Sequence, residues 1–597
     1  MSEIYSEMST KRIPRQVTIE EFAFEKPGYV QVAFLIAKFL AEREVDRIFG
    51  ICGGHILPIW DYAHRLGVKI VDVRDERAAV YMAHAYSELT GKIGVTLVTA
   101  GPGMTNAVTG IANAHFSRVP LLIISGIPPR PQRHMNALQD IPQVEIVRPI
   151  CRYARTVLYR DHVLRELDEA VAQAKGQGNE PGPAFIDFPT DLLREVMPQQ
   201  SIDMDRLLPR FRYPTCPDMG IIDAVVEILW SARRPLVITG RGARGSGAEL
   251  TRFLDVLGGV YLDTTESRGL IAEDHPACVL AARGRAMTEA DVIFTIGRSL
   301  DFQLAYGSPA VFKNARFVRL GTSPAEVRSN RRGEVEVFGH IPKTIELILQ
   351  RAGSKTPAVD KAWVEAIGAF NRERANNLKD ELKNAKSGSD GGMHPYRMLG
   401  GIREVLNRDA IIVADGGDIL SFARVCLMGA AYMDPGGFGC LGVGVPFGIC
   451  AGLLYPDRQV IVITGDGSFG FNALEVDTAK RHEAKVVFVV ANNSGWNIER
   501  NDQLQTYGGR IVGTELPGCD YAAMASSFGL HAKRIYDPDS LPEALKEAFA
   551  KAPALLDVIV TRDPLSADAK SGLPLVPDYQ ALSSWDKMER EWMQESK

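Results

Sequence analysis

Few architectures accommodate the way this chain alternates. Between residues 28 and 195 the runs VDRIFGI, VKIVDVR, GVTLVTA, VPLLIISGIP and GPAFIDFP are separated by stretches patterned as helices. A strand buried on both faces reads as an unbroken apolar run, and strands joined through helices pair in parallel, so the spacing implies a doubly wound α/β unit. The pattern returns twice. After a Pro-rich break at LPRFRYPTCPDM come RPLVITGRGARG, ADVIFTIGRS and ARFVRLGTSP; after the polar stretch KNAKSGSDGGMHP come AIIVADGG, RQVIVITGDGS, KVVFVVANNSG and ALLDVIVT. The expected fold is α/β, with three doubly wound parallel-sheet domains at 28–195, 215–352 and 390–565 and a polar tail at 566–597. A chain of 597 residues is too long for one core, which agrees with this division.

A net charge of -5, with 46% hydrophobic and 24% charged residues, gives no general attraction to nucleic acid or anionic membranes. The start, MSEIYSEMSTKRIPRQ, has no continuous apolar segment, and no later run approaches the ~20 residues that span a bilayer, so a cytoplasmic location is expected. Eight scattered cysteines without a CxxC pair signal neither a disulfide framework nor a zinc site.

The densest chemistry lies in GDGSFGFNALEVDTAKRHEAKVVFVVANNSGWNIER, residues 465–500. RQVIVIT reads as a buried strand with GDGS at its carboxyl end, where open α/β sheets bind ligands. Gly465 and Gly467 permit close backbone approach, Ser468 follows, and a helix expected to start near Phe471 aims its amides at any phosphate placed there. The next strand, KVVFVVA, delivers Asn493 and the Gly495 carbonyl beside Asp466. Carboxylate, amide oxygen and carbonyl, completed by phosphate oxygens and water, form an all-oxygen shell suited to Mg²⁺. The expected occupant is a magnesium diphosphate.

Strand, GDGS, helix, strand and NN at this spacing resemble the thiamine diphosphate (ThDP) motif. The resemblance implies a glutamate that hydrogen-bonds the cofactor's aminopyrimidine. VKIVDVRDERAAVYMAHAYSELTGKIGVTLVTAGPGMTNAVTGIANA, which looks like the pyrimidine-binding domain of the acetolactate synthase and benzaldehyde lyase superfamily, offers Glu76 for that role. GGFGCLGVGVPFG is similar to the loop that bends ThDP, with Leu441 as the apolar wedge and the Gly439 carbonyl as acceptor. Because family members bring the glutamate and the diphosphate site together across subunits, the resemblance implies a homodimer at minimum, and tetramers are common among relatives.

Three further stretches resemble particular branches. FGICGGHILPIWDYAHRLGVKIVDVRDERAA is similar to benzaldehyde lyase, which implies that His55 faces the cofactor. MNALQDIPQVEIVRPI resembles 2-hydroxyacyl-CoA lyase and oxalyl-CoA decarboxylase, with Gln139 near the thiazolium, and VLAARGRAMTEADVIFTIGRSLDFQLAYG looks like their middle domain. The implied reaction is carbon–carbon cleavage of a 2-hydroxyacyl-CoA, with an acyl-CoA as the small-molecule partner. Glu499 in NNSGWNIER matches the acid in the NNxGYTIE loop of pyruvate decarboxylases and is the expected proton relay; the bland reading is a surface Glu paired with Arg500. His55 is alternatively a hydrogen-bonded core histidine.

Arg283 and Arg424 match positions that contact CoA in oxalyl-CoA enzymes, or else belong to a basic surface. That branch also uses a middle-domain Asp for ADP, where this chain has Gly321; flavin (FAD) contacts are not identifiable. The tail is expected either to cover the acyl-CoA as a lid or to be disordered. Other readings are a benzaldehyde lyase-like acyloin lyase without CoA, an acetolactate synthase-like carboligase, and a noncatalytic ThDP-fold scaffold, which the presence of Glu76, Asp466 and Asn493 together disfavours. A pyruvate-type decarboxylase is weakened by the lack of an adjacent His-His pair.

Overall fold

The computed structural model describes residues 28–177, 179–202, 207, 215–572 and 577–596. The stretch read for a targeting signal and residues 208–214 of the Pro-rich break lie outside them. The alternating runs form three sheets in which all neighbouring strands are parallel. In the first, six strands (Arg47–Gly50, Lys69–Asp72, Gly94–Val98, Leu121–Ile127, Tyr153–Thr156 and Pro183–Pro189) lie in the order 2-1-3-4-6-5. The third sheet repeats that winding with Ile411–Asp415, Ala431–Met433, Val460–Gly465, Val487–Asn492, His531–Ile535 and Ala554–Ile559. Between them, Pro235–Thr239, Val260–Leu262, Val292–Ile296, Arg316–Gly321 and Val335–Phe338 lie in the order 2-1-3-4-5.

Central strands such as Gly94–Val98 and Val487–Asn492 are buried at every residue, which is why they carry no polar alternation. The first and third domains share one apolar cluster. It is built where helix Glu76–Thr90, buried everywhere except at Arg77, meets helix Gly444–Leu454. A helix enclosed on all sides loses its polar face, and the many Ala and Gly residues of this pair allow the close approach.

Two elements frame the middle domain. Helix Lys361–Asn384, 24 residues long, fills the interval between the second and third series. Its Trp363 and Ile367 join the core of the middle domain, and Leu382 joins that of the third. Just beyond it, the Met393 N–H donates to the Ile559 carbonyl at 3.0 Å and its carbonyl accepts from the Thr561 N–H at 2.9 Å.

Helix Ser583–Glu595 of the tail docks on the middle domain. Its Glu589 accepts from the Ser308 hydroxyl and from the Gln580 amide, while Trp585 and Met588 pack on the apolar core there. Among the described residues no helix is long and apolar enough to cross a membrane.

Candidate active site

Strands Val460–Gly465 and Val487–Asn492 are adjacent and in register with Gly465 opposite Ala491, so the residues that follow them emerge side by side at the carboxyl edge. The Gly495 N–H donates to Asp466 Oδ2 at 3.1 Å. Asp466 Oδ1 and Asn493 Oδ1 are both buried without a hydrogen-bond partner. Burial pushes the Asp466 carboxyl up to about 6.

Buried oxygens left without a donor are costly unless a cation or donor meets them. Asn492, by contrast, is spent on structure, donating to Asp557 at 3.0 Å and to the Cys519 carbonyl at 3.1 Å. The helix expected near Phe471 instead begins at Asp466, directly off the strand. There a Cβ at Gly467 would come within 2.6 Å of the Trp496 ring, so only glycine fits.

The Leu441 loop is tied down by residues that spacing did not reveal. Asp415, at the end of strand Ile411–Asp415, accepts from the N–H groups of Gly442 and Gly444, both at 2.9 Å. Asn472 donates to the Gly442 carbonyl at 2.6 Å. Gly439 adopts φ 67°, a left-handed turn that aims the loop. Arg562 clamps the other side: its guanidinium donates to the carbonyls of Asn493 and Ser494 and pairs with Glu515.

At the carboxyl edge of the first sheet, Glu76 opens helix Glu76–Thr90 behind its N-cap Asp75, which accepts from the Arg77 N–H at 2.8 Å. Glu76 is 7% exposed and accepts from the Asn106 amide at 3.0 Å. A Cβ at Gly103 would lie 3.2 Å from Glu76 Oε1, so the glycine leaves that oxygen accessible. His55 Nδ1 lies 3.4 Å from the Thr99 hydroxyl, and burial together with Arg194 holds the ring below the usual histidine pKa. Gln139 sits at φ 63° against Gly101, partly exposed. The buried glutamine of this edge is Gln143, which bonds the Gly101 N–H, Gly126 carbonyl and Asp187.

Comparison with known proteins resolves what such an edge is for. Profiles described as the N-terminal TPP binding domain, the central domain and the C-terminal TPP binding domain of thiamine pyrophosphate enzymes match residues 30–146, 222–348 and 419–558. The chain belongs to the thiamine pyrophosphate enzymes. It is 31% identical to 2-hydroxyacyl-CoA lyase 2 of Caenorhabditis elegans, over 88% of this chain and 89% of that one. It is 30% identical to the 2-hydroxyacyl-CoA lyase of Arabidopsis thaliana, over 92% and 98%. An acetolactate synthase large subunit of Mycobacterium tuberculosis is also 30% identical, over 88% and 95%.

In this thiamine pyrophosphate enzyme the orphaned oxygens of Asp466 and Asn493 fit a diphosphate-bound cation, and the room left by Gly103 at Glu76 fits a heterocyclic nitrogen. Glu499 stands in the first turn of helix Asn497–Thr506 at an exposed rim. Arg500 is not its partner, since Arg500 pairs with Glu515 at 3.0 Å. Partial desolvation and Asp502 raise the Glu499 carboxyl above its ordinary pKa.

The two arginines assigned to CoA are engaged within the protein. Arg283 donates to the carbonyls of Asp263 and Gln303 at 3.2 and 2.9 Å, and burial pushes it down to about 10. Arg424 pairs with Asp434 at 2.9 Å.

A cavity of about 250 Å³ lies where the middle domain's strand ends meet the first domain. The cations lining it all have carboxylate partners: Arg241 and Arg244 share Glu88, Arg241 also approaches Glu266, Arg118 pairs with Glu180, and Arg298 nearby pairs with Glu266 and Asp301. The Glu326 carboxylate fills the space over Gly321, 2.5 Å from where a Cβ would stand.

Proposed function

We propose that this enzyme is a carbon–carbon lyase that cleaves a 2-hydroxyacyl-CoA to formyl-CoA and a ketone or aldehyde, and that it runs the condensation in reverse. The observation that carries this reading is near end-to-end similarity to 2-hydroxyacyl-CoA lyases from an animal and a plant. The orphaned Asp466 and Asn493 oxygens support Mg²⁺, with the Gly495 carbonyl as third ligand and Gly465, Gly467 and Ser468 lining the diphosphate. Gly439 and Leu441 would brace the cofactor rings. Bound thiamine diphosphate supplies a carbon nucleophile and an electron sink for the bond that breaks.

The chain's own groups manage protons. Glu76 shares one with the cofactor's pyrimidine nitrogen. Glu499 takes the proton of the substrate hydroxyl as the bond between the hydroxyl-bearing carbon and the thioester carbonyl opens, and returns it to the carbon that becomes formyl, so the overall cleavage is balanced. The raised Glu499 carboxyl suits a group that must both accept and donate. His55 and Gln139 flank the reacting centre. Arg283 and Arg424 contact CoA only by exchanging their present partners for its phosphates. A homodimer at minimum, or a homotetramer, in the cytoplasm completes the reading, with Glu76 serving the partner's cofactor.

Products identified by mass, after incubation with ThDP, Mg²⁺, formyl-CoA and a set of ketones and aldehydes, test the proposal. A 2-hydroxyacyl-CoA is expected. Glu76→Ala should abolish its formation, and Glu499→Gln should slow it by about 10²-fold, the range of one acid–base group. The 30% identity to an acetolactate synthase subunit supports a second reading as a carboligase of 2-keto acids. Acetolactate formed from pyruvate, with formyl-CoA inert, would establish that reading instead. An acyloin from two aldehydes without CoA would point to the benzaldehyde lyase type.

A further inference from the structure

Glu475 is a carboxylate that the proposed chemistry does not use, yet it is 1% exposed in the third domain, ten residues past Gly465. Its Oε1 accepts from two backbone N–H groups of the first domain, those of Arg74 and Asp75, each at 3.0 Å. Its Oε2 accepts from the Thr478 hydroxyl at 2.6 Å. Arg74 and Asp75 immediately precede Glu76, and Asp75 is the N-cap of the helix that Glu76 opens.

The surrounding contacts between the domains are of a different kind. Arg74 pairs with Asp477 at 2.7 Å, Arg481 with Asp72, and His482 with Asp72 at 2.9 Å. Arg77 donates to the Phe471 carbonyl at 3.0 Å. Arg74 and Asp72 are half exposed, and exposed pairs contribute little and are screened by salt. Glu475 is the buried acceptor in the clasp, and its removal would strand two amide donors away from water. Burial that pushes its carboxyl up to about 7 shows how much desolvation the position imposes on the side chain.

We infer that Glu475 is a positioning residue for Glu76: it fixes, from the third domain, the two-residue segment whose backbone sets where the Glu76 carboxylate points. The inference rests on the role assigned to Glu76 above. Within Glu76's own side chain the Asn106 amide is one further restraint, so freedom at residues 74 and 75 passes directly into the glutamate. Glu475→Ala removes the acceptor, whereas Glu475→Gln keeps one oxygen for the two amides and should restore most of the function.

Two measurements decide the matter. In the protein without cofactor, the amides of Arg74 and Asp75 should exchange with solvent about tenfold faster in Glu475→Ala, the effect of losing one net hydrogen bond. In the loaded enzyme, deuterium exchange at the thiazolium carbon and kcat should both fall at least about tenfold, with KM for the acyl-CoA within about twofold, because an interaction of the reacting centre alone has been lost.

Glu475→Gln should lie within about threefold of the parent in both. If the alanine variant does not fold, Glu475→Asp takes its place: it keeps the charge but withdraws the acceptor by one methylene, and it should lose exchange protection and thiazolium exchange as alanine would. Glu76→Ala is the control. If it abolishes thiazolium exchange while both Glu475 variants exchange like the parent, Glu475 has no positioning role and the site assignment stands. If Glu76→Ala exchanges normally, the assignment of Glu76 fails, and the role of Glu475 with it.

Discussion

Single residues divide here into those with a diagnostic neighbour in sequence and those without one. Asp466 and Asn493 were legible because each follows an apolar strand at the spacing an oxygen-ligated site requires. Asp415 was not, although it ends a strand just as plainly: its partners, the amides of Gly442 and Gly444, lie 27 and 29 positions away. Nothing in a linear pattern marks which acid will be enclosed by a distant loop.

Burial pushes the Asp415 carboxyl up to about 7. A raised acid holds its proton more tightly folded than unfolded, so its contribution to stability is full at low pH. That contribution is lost as the pH rises through about 7. Asp415→Asn keeps an oxygen for both amides but cannot ionise. Its stability relative to the parent should therefore improve between acidic and neutral pH, by on the order of 2 kcal/mol, read as denaturation midpoints across that range. Parallel curves would show that Asp415 remains protonated throughout or is better solvated than its burial implies.

Among elements, the strands were readable because complete burial leaves a continuous apolar run, and three series gave three sheets. Their lateral order was not, since pairing depends on crossovers that the runs do not encode. Helix Lys361–Asn384 escaped notice for a related reason. Only Trp363, Ile367 and Leu382 of its 24 residues are buried, too few to print a periodic stripe. The helix after GDGS begins at Asp466, five residues before Phe471, because the chain passes from strand to helix without an intervening loop, a junction that two glycines do not announce in a linear pattern.

The loop Asn493–Gly495 depends on a neighbouring strand's continuation, where Arg562 reaches across 69 positions to the Asn493 carbonyl. Arg562→Ala should leave the sheet intact and loosen that loop. Mg²⁺ affinity, measured calorimetrically with diphosphate present, should fall about 10- to 100-fold, the usual cost of removing a group that orients metal ligands. An unchanged affinity would mean that the Gly495–Asp466 hydrogen bond suffices to hold the loop.

For the whole molecule, the sequence leaves the tail as either a cover for the substrate or a disordered end; its terminal helix is ordered and seated on the middle domain through Trp585, Met588 and the Glu589–Ser308 contact. Removing residues 577–597 should therefore destabilise that domain by roughly 1–3 kcal/mol, the scale for uncovering the apolar area that two half-buried large side chains shield. Faster amide exchange across residues 302–312 and a lower melting temperature would report it. A truncation that alters turnover but not melting would make the helix a cover after all.

Helix Lys361–Asn384 spans about 36 Å at 1.5 Å per residue. One end is anchored in the middle domain by Trp363 and Ile367, and the other in the third by Leu382. The chain then runs to Met393, hydrogen-bonded beside the strand that continues into Arg562. The rod therefore ties the middle domain to the segment that ends in Arg562, so a displacement of that domain would be carried toward the arginine that holds the Asn493–Gly495 loop.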